Sequence, residues 1–225
     1  MTLSAVLFDL DGTLLDTLRD IGDSMNAALV ELGFPPHTLS SYRRFVGDGV
    51  TVLARRALPA AARDNTTVDA CVSAMRKIYA ANADVHTRPY DGVIKVLDAL
   101  DTRGVALAVL SNKPDDLTHV VVERYFGRDR FAQVVGARTG VPHKPDPSAA
   151  RAIARRMDRQ PAEFLYVGDT DTDMRMAVAA GMVPVGAAWG FRSVAELTAT
   201  GARFIVKRPL DILTVFDEAT GDVHA

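Results

Sequence analysis

Apolar residues fall into two kinds of run along this chain. Short unbroken runs at 6–8, 105–110, 134–135, 164–167, 183–187 and 204–206 predict buried strands. Elsewhere apolar positions recur every three or four residues, as in Leu18, Ile21, Met25, Ala28, Leu29 and Leu32. That period predicts helices over 14–32, 39–58 (interrupted at Gly47 and Gly49), 67–83, 91–100, 114–126, 147–157, 174–180, 193–200 and 210–219. From residue 88 onward strands and helices alternate, which predicts an α/β fold: a parallel sheet, right-handed crossovers and helices on both faces. Residues 16–86 are helical throughout and break the alternation. They read as a helical cap inserted after the first strand, with 1–15 and 87–225 forming the core.

The polar residues that end the strands carry the chemistry. The first strand runs into Asp9, Leu10, Asp11, Gly12 and Thr13. Residues two apart in a strand face the same way, so Asp9 and Asp11 can point into one site. The C-terminal strand ends are where open α/β sheets bind ligands. Gly12 lets the backbone turn sharply behind them. Crowded carboxylates repel unless a cation or a shared proton relieves them. The pair therefore predicts a cation-dependent site with one Asp as nucleophile and its neighbour as acid and base. The plainer alternative is a strand end closed by polar turn residues, since Asp-Gly is a common turn pair.

Two more strands end in polar groups: Ser111 and Asn112 after 105–110, and Asp169 after 164–167. Parallel strands bring these ends to one edge, within reach of Lys144 in a loop. The edge then gathers up to four carboxylates (Asp9, Asp11, Asp169, Asp173), a hydroxyl and an ammonium. Carboxylates and water are what Mg2+ prefers. Two like unit charges about 4 Å apart cost roughly 4 kcal/mol at an effective dielectric of about 20. An aspartate can thus approach a phosphate only where a cation and a lysine offset the repulsion. Ser111 can donate to a phosphoryl oxygen. Positioning, charge neutralisation and an in-line nucleophile are what phosphoryl transfer needs.

Composition narrows the classes. The 225 residues are 48% hydrophobic, enough for one large domain or a core with an insertion. A formal net charge of −2 gives no pull toward nucleic acid or an anionic membrane. Cys71 is the single cysteine, so no intrachain disulfide or cysteine metal cluster can form. It reads as a small buried apolar residue. The start lacks a signal-peptide pattern, and the longest uncharged apolar stretch, 179–191, is short and broken by Gly181, Pro184, Gly186 and Gly190. A cytoplasmic protein, monomer or homodimer, without nucleic-acid or membrane partners is expected.

Four motifs together resemble the haloacid dehalogenase superfamily, in its phosphatase branch with a helical cap of the first type. They are DLDGT (9–13), SNK (111–113), KPDP (144–147) and GDTDTD (168–173), in the family's order and spacing. The resemblance implies a Rossmann-like core, with Asp9 as the nucleophile that forms an aspartyl-phosphate. It implies that Asp11 protonates the leaving oxygen and then deprotonates the attacking water. Mg2+ would be held by Asp9, the main-chain carbonyl of Asp11, and Asp169. Ser111, Asn112 and Lys144 would bind the phosphoryl group, and Asp173 would orient the metal's water shell and Lys144. An acid at Asp11 argues against dehalogenase activity.

In the cap, VGDGVTVLARRAL (46–58) is similar to a run in phosphoglycolate phosphatases, which implies Gly47, Gly49 and Arg56 around a small acidic substrate. The plainer alternative makes the glycines a helix–helix turn and Arg56 a solvated residue. PYDG (89–92) carries Asp91 where the family usually has a second proline. The expected reaction is Mg2+-dependent hydrolysis of a small phosphate monoester, 2-phosphoglycolate first. The alternatives are a phosphomutase of the β-phosphoglucomutase type, a phosphatase for sugar phosphates, nucleotides or pyrophosphate, and a non-enzymatic phospho-binding module.

Overall fold

The structure is a computed structural model and describes residues 3–221. Its centre is a six-stranded sheet built from β1 (Ala5–Phe8), β4 (Ala106–Pro114), β5 (Gln133–Ala137), β6 (Phe164–Gly168), β7 (Val183–Ala187) and β8 (Phe204–Val206). The order is β5-β4-β1-β6-β7-β8, and every neighbouring pair is parallel. β1 lies in the middle, flanked by β4 and β6. The strand sequence moves outward to one side of β1 and then to the other, so the crevice at its C-terminal end is a topological switch point.

The side-chain period of two sorts β1 between two helical layers. Val6 and Phe8 pack with Leu107, Val109, Leu165 and Val167 beneath α5 (Val93–Thr102), α6 (Asp115–Phe126) and α10 (Asp211–Thr220). Ala5 and Leu7 pack with Ala108, Leu110, Phe164 and Tyr166 beneath α7 (Ser148–Arg156), α8 (Asp171–Ala180) and α9 (Val194–Ala199). Full burial of side chains such as Leu7 and Phe8 contributes about 1.5–3 kcal/mol each.

The cap is α1 (Leu18–Glu31), α2 (Leu39–Phe45), α3 (Val50–Ala57) and α4 (Asn65–Asn82), around its own core of Met25, Leu29, Tyr42, Leu53 and Tyr79. Cys71 is buried there, its thiol donating to the Met25 sulfur at 3.6 Å. The helix predicted over 14–32 starts later than its pattern implied. Leu15–Asp16 is instead β2, paired antiparallel with β3 (Arg88–Pro89) where the chain leaves and re-enters the core. Buried Asp20, on α1, clamps the returning strand: its carboxylate accepts from the His86 and Thr87 amides and from the Thr87 hydroxyl at 2.8–3.0 Å.

Other boundaries shift for local reasons. The run 39–58 divides into α2 and α3 at Gly47 and Gly49, both at positive φ. β4 continues through Ser111, Asn112 and Lys113 to Pro114. Helix α7 starts at Ser148, with Pro147 before it, and Asp146 accepts from the Ser148 amide at 2.8 Å. Helix α8 begins at Asp171, three residues before the predicted start, because Thr170 caps it in a reciprocal bond with Asp173. Asp171 is therefore the first helical residue and Thr170 the cap. Among the described residues no helix is long and apolar enough to cross a membrane.

Candidate active site

The three central strands deliver Asp9, Ser111 and Asp169 to one crevice. The Asp9 amide donates to the Val167 carbonyl at 2.9 Å, which holds the tips of β1 and β6 together. Lys144 comes from the loop before α7, with a side chain only 2% exposed. Its ammonium donates to Asp9 Oδ1 (2.7 Å), Asp173 Oδ1 (2.8 Å), the Leu110 carbonyl (3.1 Å) and the Tyr166 hydroxyl (3.2 Å). Asp9, Asp169 and Asp173 each offer an oxygen within 4.8 Å of the others.

Asp169 is held from both sides. The Thr13 hydroxyl donates to its Oδ1 at 2.9 Å and the Phe191 amide to its Oδ2 at 2.8 Å. Gly12 and Gly190 make room for it. A Cβ at Gly12, where φ is +91°, would sit 2.4 Å from Asp169 Oδ2, and one at Gly190 would sit 2.2 Å from the Asp169 Cβ.

Charge is poorly balanced in this crevice. Burial, then the Asp173 carboxylate, push the Asp9 pKa up to about 7 against the pull of Lys144. Burial and the Asp9 charge raise Asp169 well above the carboxylate range. Burial also opposes ionisation of Asp173, but the Lys144 ammonium and bonds from Lys144, Thr170 and Tyr166 outweigh it and hold the pKa low. For Lys144, burial is outweighed by Asp173 and Asp9, so the ammonium is held charged.

Asp11 stands apart from this group. Its carboxylate takes the Lys113 ammonium at 3.1 and 3.3 Å, and Lys113 also donates to the Tyr79 hydroxyl of the cap at 2.8 Å. Asp9 and Asp11 both line one pocket between core and cap, with Ser111, Lys113, Tyr79 and Arg76. The rest of its cap wall is mostly apolar, including Ile21, Val46, Val50, Leu53 and Met75.

The expected cap residues divide. Gly47 and Gly49 line the pocket as the turn between α2 and α3. Arg56 does not reach it. Its guanidinium pairs with Asp48 at 2.6 Å, donates to the carbonyls of Arg44 and Phe45, and lines a separate cleft with Arg43, Arg44 and Arg192. Asn112 lines the pocket beside Ser111. Its side-chain amide donates to the carbonyls of Gly47 (3.0 Å) and Lys144 (3.1 Å) and accepts from the Lys144 amide (2.9 Å). With both N–H donors committed, the side chain brackets cap, β4 and the lysine loop.

The model of the family described as haloacid dehalogenase-like hydrolase matches residues 6–187. The chain is 31% identical to a phosphoglycolate phosphatase of Aquifex aeolicus over 215 residues, 96% of this chain and 97% of the relative. It is 36% identical to one of Xanthomonas campestris pv. campestris over 191 residues, 84% of each. The chain belongs to the haloacid dehalogenase-like hydrolases. A solved structure from Haemophilus somnus, described as a predicted phosphoglycolate phosphatase, superposes with a TM-score of 0.89 at 26% identity and covers 96% of this hydrolase and 98% of that chain.

Metal-dependent chemistry fits the donors present in this hydrolase. Three buried carboxylates face one buried lysine, and burial and mutual repulsion raise the pKa values of Asp9 and Asp169. An all-oxygen set suits a hard divalent cation. The sequence reading passed over Lys113 and Tyr79. Tyr79 followed the helical apolar period and read as packing. Lys113 was legible in principle, since it lies two positions past Ser111, the spacing that puts strand residues on one side.

Proposed function

We propose that this hydrolase is a Mg2+-dependent phosphatase acting on small phosphate monoesters, with 2-phosphoglycolate the first substrate. The observation that carries the reading is Asp9 lining the pocket with Asp11 and Ser111, while behind it Lys144 donates to its carboxylate at 2.7 Å and Asp169 offers an oxygen within 4.8 Å. The phosphoglycolate phosphatases among its relatives support the choice of substrate.

An Asp9 oxygen attacks phosphorus, the ester P–O bond breaks, and Asp11 gives a proton to the leaving oxygen. Water then attacks the aspartyl-phosphate, Asp11 takes its proton, and the bond to Asp9 breaks to release inorganic phosphate. Lys144 and Ser111 hold the phosphoryl oxygens. Lys144 also keeps Asp9 oriented through the 2.7 Å bond. Asp9, the Asp11 carbonyl and Asp169 would hold Mg2+, and Asp173, whose Oδ1 takes the Lys144 ammonium and whose Oδ2 caps α8, orients Lys144. When bound, the cation supplies charge neutralisation between the nucleophile and the phosphoryl group. The cap covers the crevice and excludes bulk water.

Phosphate release from 2-phosphoglycolate and from 4-nitrophenyl phosphate, with Mg2+ and with chelator, tests the reading. Mg2+-dependent release from both is expected. An isomerised sugar phosphate in place of free phosphate would assign a mutase, and no turnover of any ester would end the enzymatic reading.

A further inference from the structure

The pocket is lined by two cations, and they differ in kind. Arg76 is 40% exposed and bound to Asp116 at 2.8 Å. Lys113 is buried, and its ammonium lies against the Asp11 carboxylate and the Tyr79 hydroxyl, 4.3 Å from the centre of the Tyr79 ring. An ammonium carries three N–H donors, and among the described residues Lys113 has these two partners. Tyr79 accepts from Lys113 and so keeps its own O–H to donate. The surrounding cap wall is apolar. A charge carried into that wall by a substrate loses its hydration and needs a partner there.

We propose that Lys113 and Tyr79 form a seat for a carboxylate on the leaving group, set one carbon from the ester oxygen. The inference rests on the phosphatase reading above, since it takes Asp11 as the group that addresses the leaving oxygen. Lys113 touches Asp11, so whatever is attached to that oxygen lies beside the ammonium. A carboxylate one carbon away meets the Lys113 N–H and the Tyr79 O–H. A longer spacer carries the charge past them toward the apolar wall. The substrate class is then the phosphorylated 2-hydroxy acid, and a methyl on the intervening carbon finds Val50 or Leu53. Recognition is divided between core and cap, so the seat is complete only with α4 in place over β4.

The test compares esters matched in size. 2-Phosphoglycolate is paired with 2-hydroxyethyl phosphate, in which a hydroxymethyl group replaces the carboxylate, and the readout is the ratio of their kcat/KM values. The native protein is expected to favour the acid by about 100-fold or more, since each lost charged hydrogen bond in a dry pocket is worth about tenfold or more. Lys113→Met should collapse that ratio to within about threefold of unity, chiefly through KM for the acid. Lys113→Arg should restore most of it. Tyr79→Phe, a milder change that keeps the ring, should lower the ratio about tenfold and keeps the test open if Lys113→Met does not fold. A role confined to orienting Asp11 would slow both esters in parallel and leave the ratio unchanged, which would overturn the proposal. So would a native ratio near one. Phosphate release with an unchanged ratio sinks this inference alone, whereas no release from either ester sinks the phosphatase reading and this inference with it.

Discussion

Replacing Lys144 by Met probes the charge balance of the crevice in the metal-free protein. Met keeps most of the volume, so packing changes little. What disappears is the ammonium that four groups share at 2.7–3.2 Å. Removing one partner of a buried ion pair costs about 3–5 kcal/mol, because the other charge is left uncompensated. At about 2.1 cal/mol/K per residue, 225 residues give an unfolding entropy near 0.5 kcal/mol/K, so the melting temperature should fall by about 6–10 °C. The loss must also depend on pH. Asp9 titrates near 7 when folded against 3.8 ordinarily. It therefore holds a proton in the folded state that the unfolded chain has released. Its burial costs nothing below about pH 4, costs progressively more as pH rises, and costs its full amount above about pH 7. At pH 8 Asp9 is charged and depends on Lys144; at pH 5.5 it is protonated and depends on it less. Urea unfolding of both proteins in chelator should show the full loss at pH 8 and a smaller one at pH 5.5, where Asp173 still depends on the lysine. Equal losses at the two pH values, or a loss under about 1 kcal/mol at pH 8, would refute the reasoning.

Mg2+ binding should tighten as pH rises from 5 to 7, by up to about tenfold per pH unit for one displaced proton, because the ion needs Asp9 ionised; calorimetric titration of the metal alone measures it, and a flat profile would contradict the pKa assignment. Asp9→Asn should abolish turnover while leaving the circular dichroism spectrum native, and near-native rates would remove Asp9 from the nucleophile's role. Gly190→Ala places a methyl 2.2 Å from the Asp169 Cβ, so Mg2+ affinity should fall by tenfold or more and the melting temperature by several degrees. Unchanged metal affinity in that variant would separate Asp169 from the ion.

The sheet was legible because its strands are short apolar runs that end in Asp9, Ser111 and Asp169, and parallel order alone brings those ends together. The two-residue strands β2 and β3 were not, since two residues carry no period. Lys144 could be placed at the site from its motif, but its four partners include Tyr166, which the pattern of β6 presents only as another apolar core position. The cap was read correctly as helical, and of its three singled-out residues Gly47 and Gly49 line the pocket while Arg56 does not. Arg56 sits one helical turn from Leu53, yet Leu53 lines the pocket and Arg56 the outer cleft. The guanidinium is drawn there by Asp48 and the α2 carbonyls, contacts no local pattern encodes.

The ladder at Leu15–Pro89 and Asp16–Arg88 brings the chain back to where it left. Antiparallel neighbours of this kind can be joined by a hairpin of two to five residues. Everything between them is thus a detour of the polypeptide, removable or exchangeable without rethreading a single strand of the sheet. Asp9, Lys144, Asp169 and Lys113 would stay on the retained part and Tyr79 would leave, so one small pair of strands marks where the two walls of the pocket could be inherited apart.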